Sequence, residues 1–131
     1  MYNAFTALFF ANYYGFDKIA REGGTPTAAY YGELLCTQQV VVVTLNLVFG
    51  LALIFPHDGT LPYSVVATVC MAALFTNYFG VLKSSQYPAF RTRLDRQPLA
   101  VKFGLVLFSF ASSVVGIPGF IWLMQRYYNL P

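Results

Sequence analysis

Residues 34–55 read LLCTQQVVVVTLNLVFGLALIF, a run of 22 residues without a charged side chain. A helix needs about 20 mostly apolar residues to cross the hydrocarbon core of a bilayer. Two further stretches, 62–82 and 99–124, are similarly long and apolar, and Lys102 is the one charged residue in them. The sequence therefore predicts three transmembrane helices.

The composition of the whole chain agrees with this prediction. Of its 131 residues, 57% are hydrophobic and only 10% are charged, whereas soluble domains carry about 25% charged residues. So few charges could not cover a surface that faces water, and a net charge of +3 is too small to indicate binding of nucleic acid. The predicted fold class is all-α, an integral membrane three-helix bundle that forms a single domain.

Residues 1–22 differ from the rest because their apolar and polar side chains gather on opposite sides of a helical wheel. The apolar side holds Tyr2, Phe5, Leu8, Phe9, Tyr13, Phe16, Ile19 and Ala20. The polar side holds Asn3, Thr6, Asp17, Lys18, Arg21 and Glu22, and Asn12 is the main exception to the pattern. An aromatic-rich amphipathic helix is typical of the membrane surface. The segment therefore predicts an interfacial N-terminal helix, and the alternative is a fourth, short buried helix.

Turn and cap residues separate these segments. Thr25-Pro26 is typical of a helix start, and the sequence PHDGT at 56–60 predicts a tight turn that makes the first two spans an antiparallel hairpin. Pro118 falls inside the third span, where proline bends a helix.

Basic residues predict the orientation in the membrane. The connection 83–98 contains Lys83, Arg91, Arg93 and Arg96, and the N-terminal segment, on the same side, adds Lys18 and Arg21. Lys and Arg of short loops stay on the cytoplasmic side. The N-terminus is therefore predicted inside and the C-terminus outside, in a bacterial cytoplasmic membrane or a mitochondrial inner membrane.

The basic loop 83–98 has two interpretations. Lys83, Arg91, Arg93 and Arg96 could bind anionic lipid headgroups, at about 1 kcal/mol for each basic residue near the surface, or they could dock an acidic patch of a partner protein. The prolines at positions 88 and 98 predict a stiff, extended loop in either case.

Small and polar residues in the spans predict where the helices pack, because such residues let membrane helices approach and form hydrogen bonds. Three predicted seams recur at alternating spacings of four and three residues: Gly32, Cys36, Gln39, Val43, Asn46 and Gly50 in the first helix, Val66, Cys70, Ala73, Asn77, Gly80 and Ser84 in the second, and Leu105, Ser109, Ser112, Gly116, Gly119 and Leu123 in the third. From their depths we expect Gln39 to hydrogen-bond Asn77, and Asn46 to meet the third span near Ser112. Cys36 and Cys70 fall at depths about 15 Å apart, too far for a disulfide.

No arrangement of residues predicts a catalytic, cofactor or metal site. His57 is the only histidine and stands in the predicted turn beside Asp58, too few ligands for a typical metal site. No Asp, Glu or His falls at depth in the three spans, where transport sites usually place an ionisable residue.

Three functional hypotheses follow. The leading one is a non-catalytic accessory subunit of a larger membrane complex, of the energy-transducing or secretion type, with other membrane subunits as partners. The alternative is a homo-oligomeric channel or small transporter lined by Gln39, Asn46 and Asn77. The second alternative is a membrane enzyme that acts on lipid or quinone, for which only Glu33 and Asp95 would be near the inner interface.

Overall fold

The computed structural model of the chain describes residues 3–22, 24, 27–55 and 58–129, and in this part of the chain it is all-helical, with no strand. The five helices are α1 (Ala4–Glu22), α2 (Ala28–Ile54), α3 (Tyr63–Asn77), α4 (Tyr87–Asp95) and α5 (Leu99–Tyr128). Thr25, Pro26, Pro56 and His57 lie outside the described residues. The predicted cap of the first span and the first two residues of the predicted turn at 56–60 therefore fall there as well.

Three of the helices confirm the predicted membrane spans. Within the described residues, Tyr30–Ile54, Tyr63–Leu82 and Leu99–Tyr128 are long and apolar enough to cross a bilayer. The third span extends four residues beyond the predicted end and continues through Pro118. It stops where Asn129 adopts a left-handed conformation, with φ of 52°, a common way to end a helix.

The second span changes its winding before it ends. After Asn77 the chain continues as a π-helical segment, Tyr78–Leu82, in which the Lys83 amide donates to the Tyr78 carbonyl at 2.8 Å. This five-residue spacing gives the segment a wider turn than an α-helix has. The side chain of Val81 is buried at this turn, so the segment forms part of the core.

The basic connection is a helix, so the prediction of an extended loop at 83–98 was wrong. Pro88 occupies the first turn of α4, where its missing amide hydrogen removes no helical hydrogen bond. Tyr87 and Phe90 are buried on one side of this helix, and Leu94 packs partly against the same core. Their spacing of three and four residues is that of an amphipathic helix, and burial of this face stabilises it.

The core lies where α1 meets α2, α4 and the π-helical segment. Phe10, Tyr13, Phe16, Cys36, Val81, Tyr87 and Phe90 form it. The ring centroids of Phe10 and Phe90 are 5.3 Å apart, and those of Tyr13 and Tyr87 are 4.5 Å apart. Aromatic side chains of α1 therefore fix α4 against the spans.

The helices differ in how many neighbouring helices they pack against. α1, α2 and α5 pack against one another, and in the described structure α2 is the only helix against which α3 packs extensively. Two glycines permit the close approach of α1. A Cβ on Gly15 would collide with Ser109 and the Leu105 carbonyl of α5, and a Cβ on Gly32 would lie 3.1 Å from the Asp17 Cα.

Candidate functional site

Asp17 of α1 is the centre of a buried polar cluster. It is 1% exposed, although the helical wheel places it on the side that faces water. Its Oδ1 accepts from Arg21 Nε at 2.8 Å, and its Oδ2 accepts from the Tyr87 hydroxyl at 3.1 Å. Arg91 Nε lies 3.4 Å from the same Oδ2. A buried carboxylate is costly unless it is paired, and this one is held by two guanidinium groups and a phenol.

A second acidic group lies beside this cluster. The Tyr14 hydroxyl donates to Asp95 Oδ1 at 2.8 Å, and Arg91 Nε lies 3.9 Å from Asp95 Oδ2. The ammonium group of Lys102, at the start of α5, donates to the Asp95 backbone carbonyl at 3.3 Å. Arg91 thus contacts both carboxylates and links α1 to α4.

The surroundings of these side chains alter their proton affinities. Burial first, and then the Asp17 carboxylate, raise the pKa of the Tyr87 phenol. Burial and the hydrogen bond to Asp95 raise the pKa of Tyr14. The hydrogen bond to Asp17 raises the pKa of Arg21. Both phenols and this guanidinium therefore stay protonated at neutral pH and act as hydrogen-bond donors.

These residues surround an open cleft of about 370 Å³ between the C-terminal half of α1, α4 and the start of α5. Its lining includes four cationic side chains: Lys18, Arg21, Arg91 and Lys102. The carboxylates in the lining are Asp17, Glu22 and Asp95, so positive charge exceeds negative charge by one.

The four basic residues predicted to bind headgroups or a partner have different surroundings in the structure. Arg91 lines the cleft, whereas Lys83 forms an ion pair with Glu33 of α2 at 2.9 Å. Arg93 and Arg96 are exposed and do not belong to the cleft lining. The cleft draws its other cations from α1 and α5, which the sequence interpretation did not combine with the loop.

A separate polar network lies among the spans. Asn12 Nδ2 donates to Gln39 Oε1 at 2.6 Å, and Gln39 Nε2 donates to the Ser112 hydroxyl. The Ser109 hydroxyl donates to the Asn12 carbonyl at 2.8 Å. The predicted hydrogen bond between Gln39 and Asn77 was therefore wrong, because α1 supplies Gln39 with a closer partner.

Asn77 has a different environment from the one predicted. Its Oδ1 accepts a weak hydrogen bond from the thiol of Cys36 at 3.8 Å. Its Nδ2 is buried and has no hydrogen-bond partner among the described residues. Cys36 and Cys70 are both free thiols, the first buried and the second partly exposed.

Asn46 contacts the third span one turn beyond Ser112. Its Nδ2 donates to the Gly116 carbonyl at 3.0 Å, as well as to the Val42 carbonyl of its own helix. A Cβ on Gly116 would lie 2.8 Å from a methyl group of Val42, so α2 and α5 approach closely here.

Gly50 and Gly80, two of the predicted packing residues, make no close helix contact in the described structure. A Cβ on either would meet nothing within 4 Å, because neither faces another described helix closely. Other glycines do permit close approach, among them Gly15 and Gly32 where α1 packs, and Gly116, one of the predicted packing residues, where α2 meets α5. The prediction compared the three spans only with one another, and it left α1 out.

The residues of α1 that the sequence interpretation missed do have a signal. Phe10, Tyr14 and Asp17 recur at spacings of four and three residues, and all are at least 99% buried. The predicted apolar side contained Leu8 and Phe9, which are 58% and 39% exposed. Tyr13 and Phe16, from the predicted apolar side, are also buried. The helix therefore packs on a side that is only partly rotated from the apolar one and includes Tyr14, whose hydroxyl donates to Asp95.

The described residues contain no group of three or more His, Cys, Asp or Glu placed to hold a metal ion. What the cleft offers chemically is a set of cationic and phenolic hydrogen-bond donors around an enclosed carboxylate. Such donors suit the binding of an anion.

Comparisons with protein-family models, with curated proteins and with solved structures find no match to this chain.

Proposed function

We propose that this protein is a non-catalytic accessory subunit of a larger membrane complex, of the energy-transducing or secretion type. The single observation that carries the proposal is the uncovered face of α3. This helix packs extensively only against α2 in the described structure, whereas α5 packs against both α1 and α2. A neighbouring membrane subunit is the partner that we expect to cover it.

The residues on that face favour a helix as the partner. Exposed small residues recur there at every fourth position: Ser64, Thr68, Ala72, Thr76 and Gly80. In membranes, small residues at this spacing let two helix backbones come close and gain van der Waals contact. We call these five residues the small-residue stripe.

The two threonine hydroxyl groups of the small-residue stripe do not need a polar partner. Thr68 Oγ1 donates to the Ser64 carbonyl at 2.7 Å, and Thr76 Oγ1 donates to the Ala72 carbonyl at 2.9 Å. Because these donors are satisfied within α3, the stripe is a smooth surface that suits close packing against another helix.

We further infer how the chain is placed in its membrane. Asn12 contacts Gln39 and Ser109, which lie nine and ten residues inside their spans, or about 13–15 Å by helical rise. This depth favours the second interpretation of the N-terminal segment, a short helix that is partly inserted among the spans. Its C-terminal basic residues lie at the same end of the spans as α4, which supports an N-terminus inside and a C-terminus outside.

The channel hypothesis gains no such support. Gln39 and Asn46 direct their amide groups to partners in the same chain, and the Asn77 side chain is buried within it. A pore between copies would need these groups on an outer surface. The enzyme hypothesis is similarly weakened, because Glu33 is paired with Lys83 and Asp95 accepts from Tyr14.

Site-specific photo-crosslinking in native membranes tests the proposal. A photoreactive residue at Ala72, within the small-residue stripe, should give one adduct of reproducible mass with a different membrane protein. The control is the same residue at Val115 of α5, which is 70% exposed and lies outside the stripe. The bulky change Thr76→Leu should weaken the Ala72 adduct, because it pushes the partner helix away.

Two results would contradict the accessory-subunit proposal. Adducts of lipid alone from Ala72, as from Val115, would show that the stripe faces the bilayer. An adduct with the mass of two copies of this chain would favour the homo-oligomer instead.

A further inference from the structure

The cleft beside Asp17 contains donors that the protein's own carboxylates do not use. Arg21 and Arg91 each approach Asp17 through Nε. In the described structure, the hydrogen bonds of these two side chains do not involve their Nη groups. A guanidinium presents five N–H donors in a fixed fork, so both can reach a second acceptor from the cleft.

The enclosed carboxylate also sets the position of these donors. Asp17 is 1% exposed and is contacted by both guanidinium groups and the Tyr87 hydroxyl. The two arginines are consequently held on either side of one carboxylate, rather than spread apart by repulsion. Lys18 and Lys102 add two ammonium groups to the lining, which leaves the excess of one positive charge.

The cleft lies beside the ends of the first and third spans, at the level where we place the lipid headgroups. Lys102 follows the start of the third span by three residues, and Gly32, which contacts Asp17, follows the start of the first span by two. Anionic lipids attract basic residues most strongly within this layer. A volume of about 370 Å³ is at the lower end of the range for small-ligand sites.

We propose that this cleft binds the phosphate group of an anionic phospholipid headgroup. Arg21 and Arg91 donate to the phosphate oxygens through their Nη groups, and Lys18 and Lys102 neutralise its charge. The site differs from the predicted basic loop, since only Arg91 belongs to both. It does not depend on the accessory-subunit proposal, because a lone chain would possess it.

The test compares two double variants with the same loss of charge. Lys18→Gln with Lys102→Gln removes two cations from the cleft and leaves Arg21, Arg91 and Tyr87 in place around Asp17. Arg93→Gln with Arg96→Gln removes two exposed cations of the same membrane face that do not line the cleft. Native mass spectrometry of the full chain in detergent would count bound phosphatidylglycerol, phosphatidylcholine with the same acyl chains, and inorganic phosphate.

We expect phosphatidylglycerol to bind more tightly than phosphatidylcholine. The cleft variant should weaken its binding about twenty-fivefold, from about fivefold for each lysine. The control variant should change it less than about threefold, because its arginines do not line the cleft. Equal losses in the two variants would overturn the proposal, because attraction would then come from diffuse surface charge. Inorganic phosphate could instead displace phosphatidylglycerol and lose its binding only in the cleft variant. That result would support a phosphate site in the cleft but would overturn the lipid as its ligand in favour of a soluble phosphate. Failure of all three probes to bind the wild-type chain would overturn the proposal outright.

Discussion

The clearest perturbation of the polar cluster is Asp17→Asn. The carboxylate is buried and accepts from Arg21 and from the Tyr87 hydroxyl, with Arg91 nearby. Asparagine has nearly the same shape and keeps one oxygen for the tyrosine. The change therefore removes the negative charge while it leaves most of the packing intact.

The magnitude follows from the exposure of the partners. Removing one member of a buried ion pair costs about 3–5 kcal/mol when the other is left buried. Here the side chains of Arg21 and Arg91 are 43% and 32% exposed, so water can solvate them after the change. We expect a smaller loss of about 2 kcal/mol in the free energy of unfolding, close to that of one charge-assisted hydrogen bond.

The assay is unfolding in mixed micelles with increasing sodium dodecyl sulfate, followed by circular dichroism. Asp58→Asn is the matched control, because Asp58 is exposed and an exposed change of this kind should stay within about 0.5 kcal/mol. If Asp17→Asn unfolded at the same detergent fraction as Asp58→Asn, the account of a carboxylate held by two guanidinium groups would be refuted.

Three further predictions use pairs of matched variants. Gly15→Ala should lower the free energy of unfolding by about 1–3 kcal/mol, because its Cβ would collide with α5. Gly104→Ala, with open space around the new Cβ, should raise it by up to about 1 kcal/mol. Equal unfolding midpoints for the two variants would contradict this prediction. Gln39→Leu should lower the free energy of unfolding by about 1–2 kcal/mol, because it removes two hydrogen bonds and leaves a buried partner unsatisfied. The control is Gln38→Leu at the exposed neighbouring position, which should leave stability unchanged in the same micelle assay. Burial raises the pKa of Tyr87, so its contribution to stability is present below the ordinary tyrosine pKa of about 10 and is lost as the pH rises through the higher native value. In a spectroscopic titration, Tyr87→Phe should remove phenolate absorbance only from the most alkaline part of the curve, and a loss near pH 10 would count against the buried phenol.

The sequence predicted the three spans well because their signal is local. Each is a run of apolar residues long enough for a bilayer, and no distant contact is needed to recognise it. The contacts between spans were harder to predict, because the partner of Gln39 depends on where α1 lies. A pattern of polar residues shows that a side chain seeks a partner, but it does not show which of several helices supplies one.

Two errors arose because a local sequence pattern was interpreted without the helices that pack against it. Pro88 was interpreted as a sign of extended chain, yet proline also fits the first turn of a helix, and the aromatic face of α4 decides between the two. Asp17 was placed in water because it falls on the polar side of the helical wheel of residues 1–22. The cleft was missed for this reason, since it requires cations from α1, α4 and α5 to meet around that carboxylate.

The accessory-subunit proposal is tested most directly by the mass and composition of the particle extracted from its native membrane in a mild detergent, measured by native mass spectrometry. The proposal predicts this chain at a fixed ratio with several different membrane proteins. A lone chain, or a ring of identical copies, would contradict it.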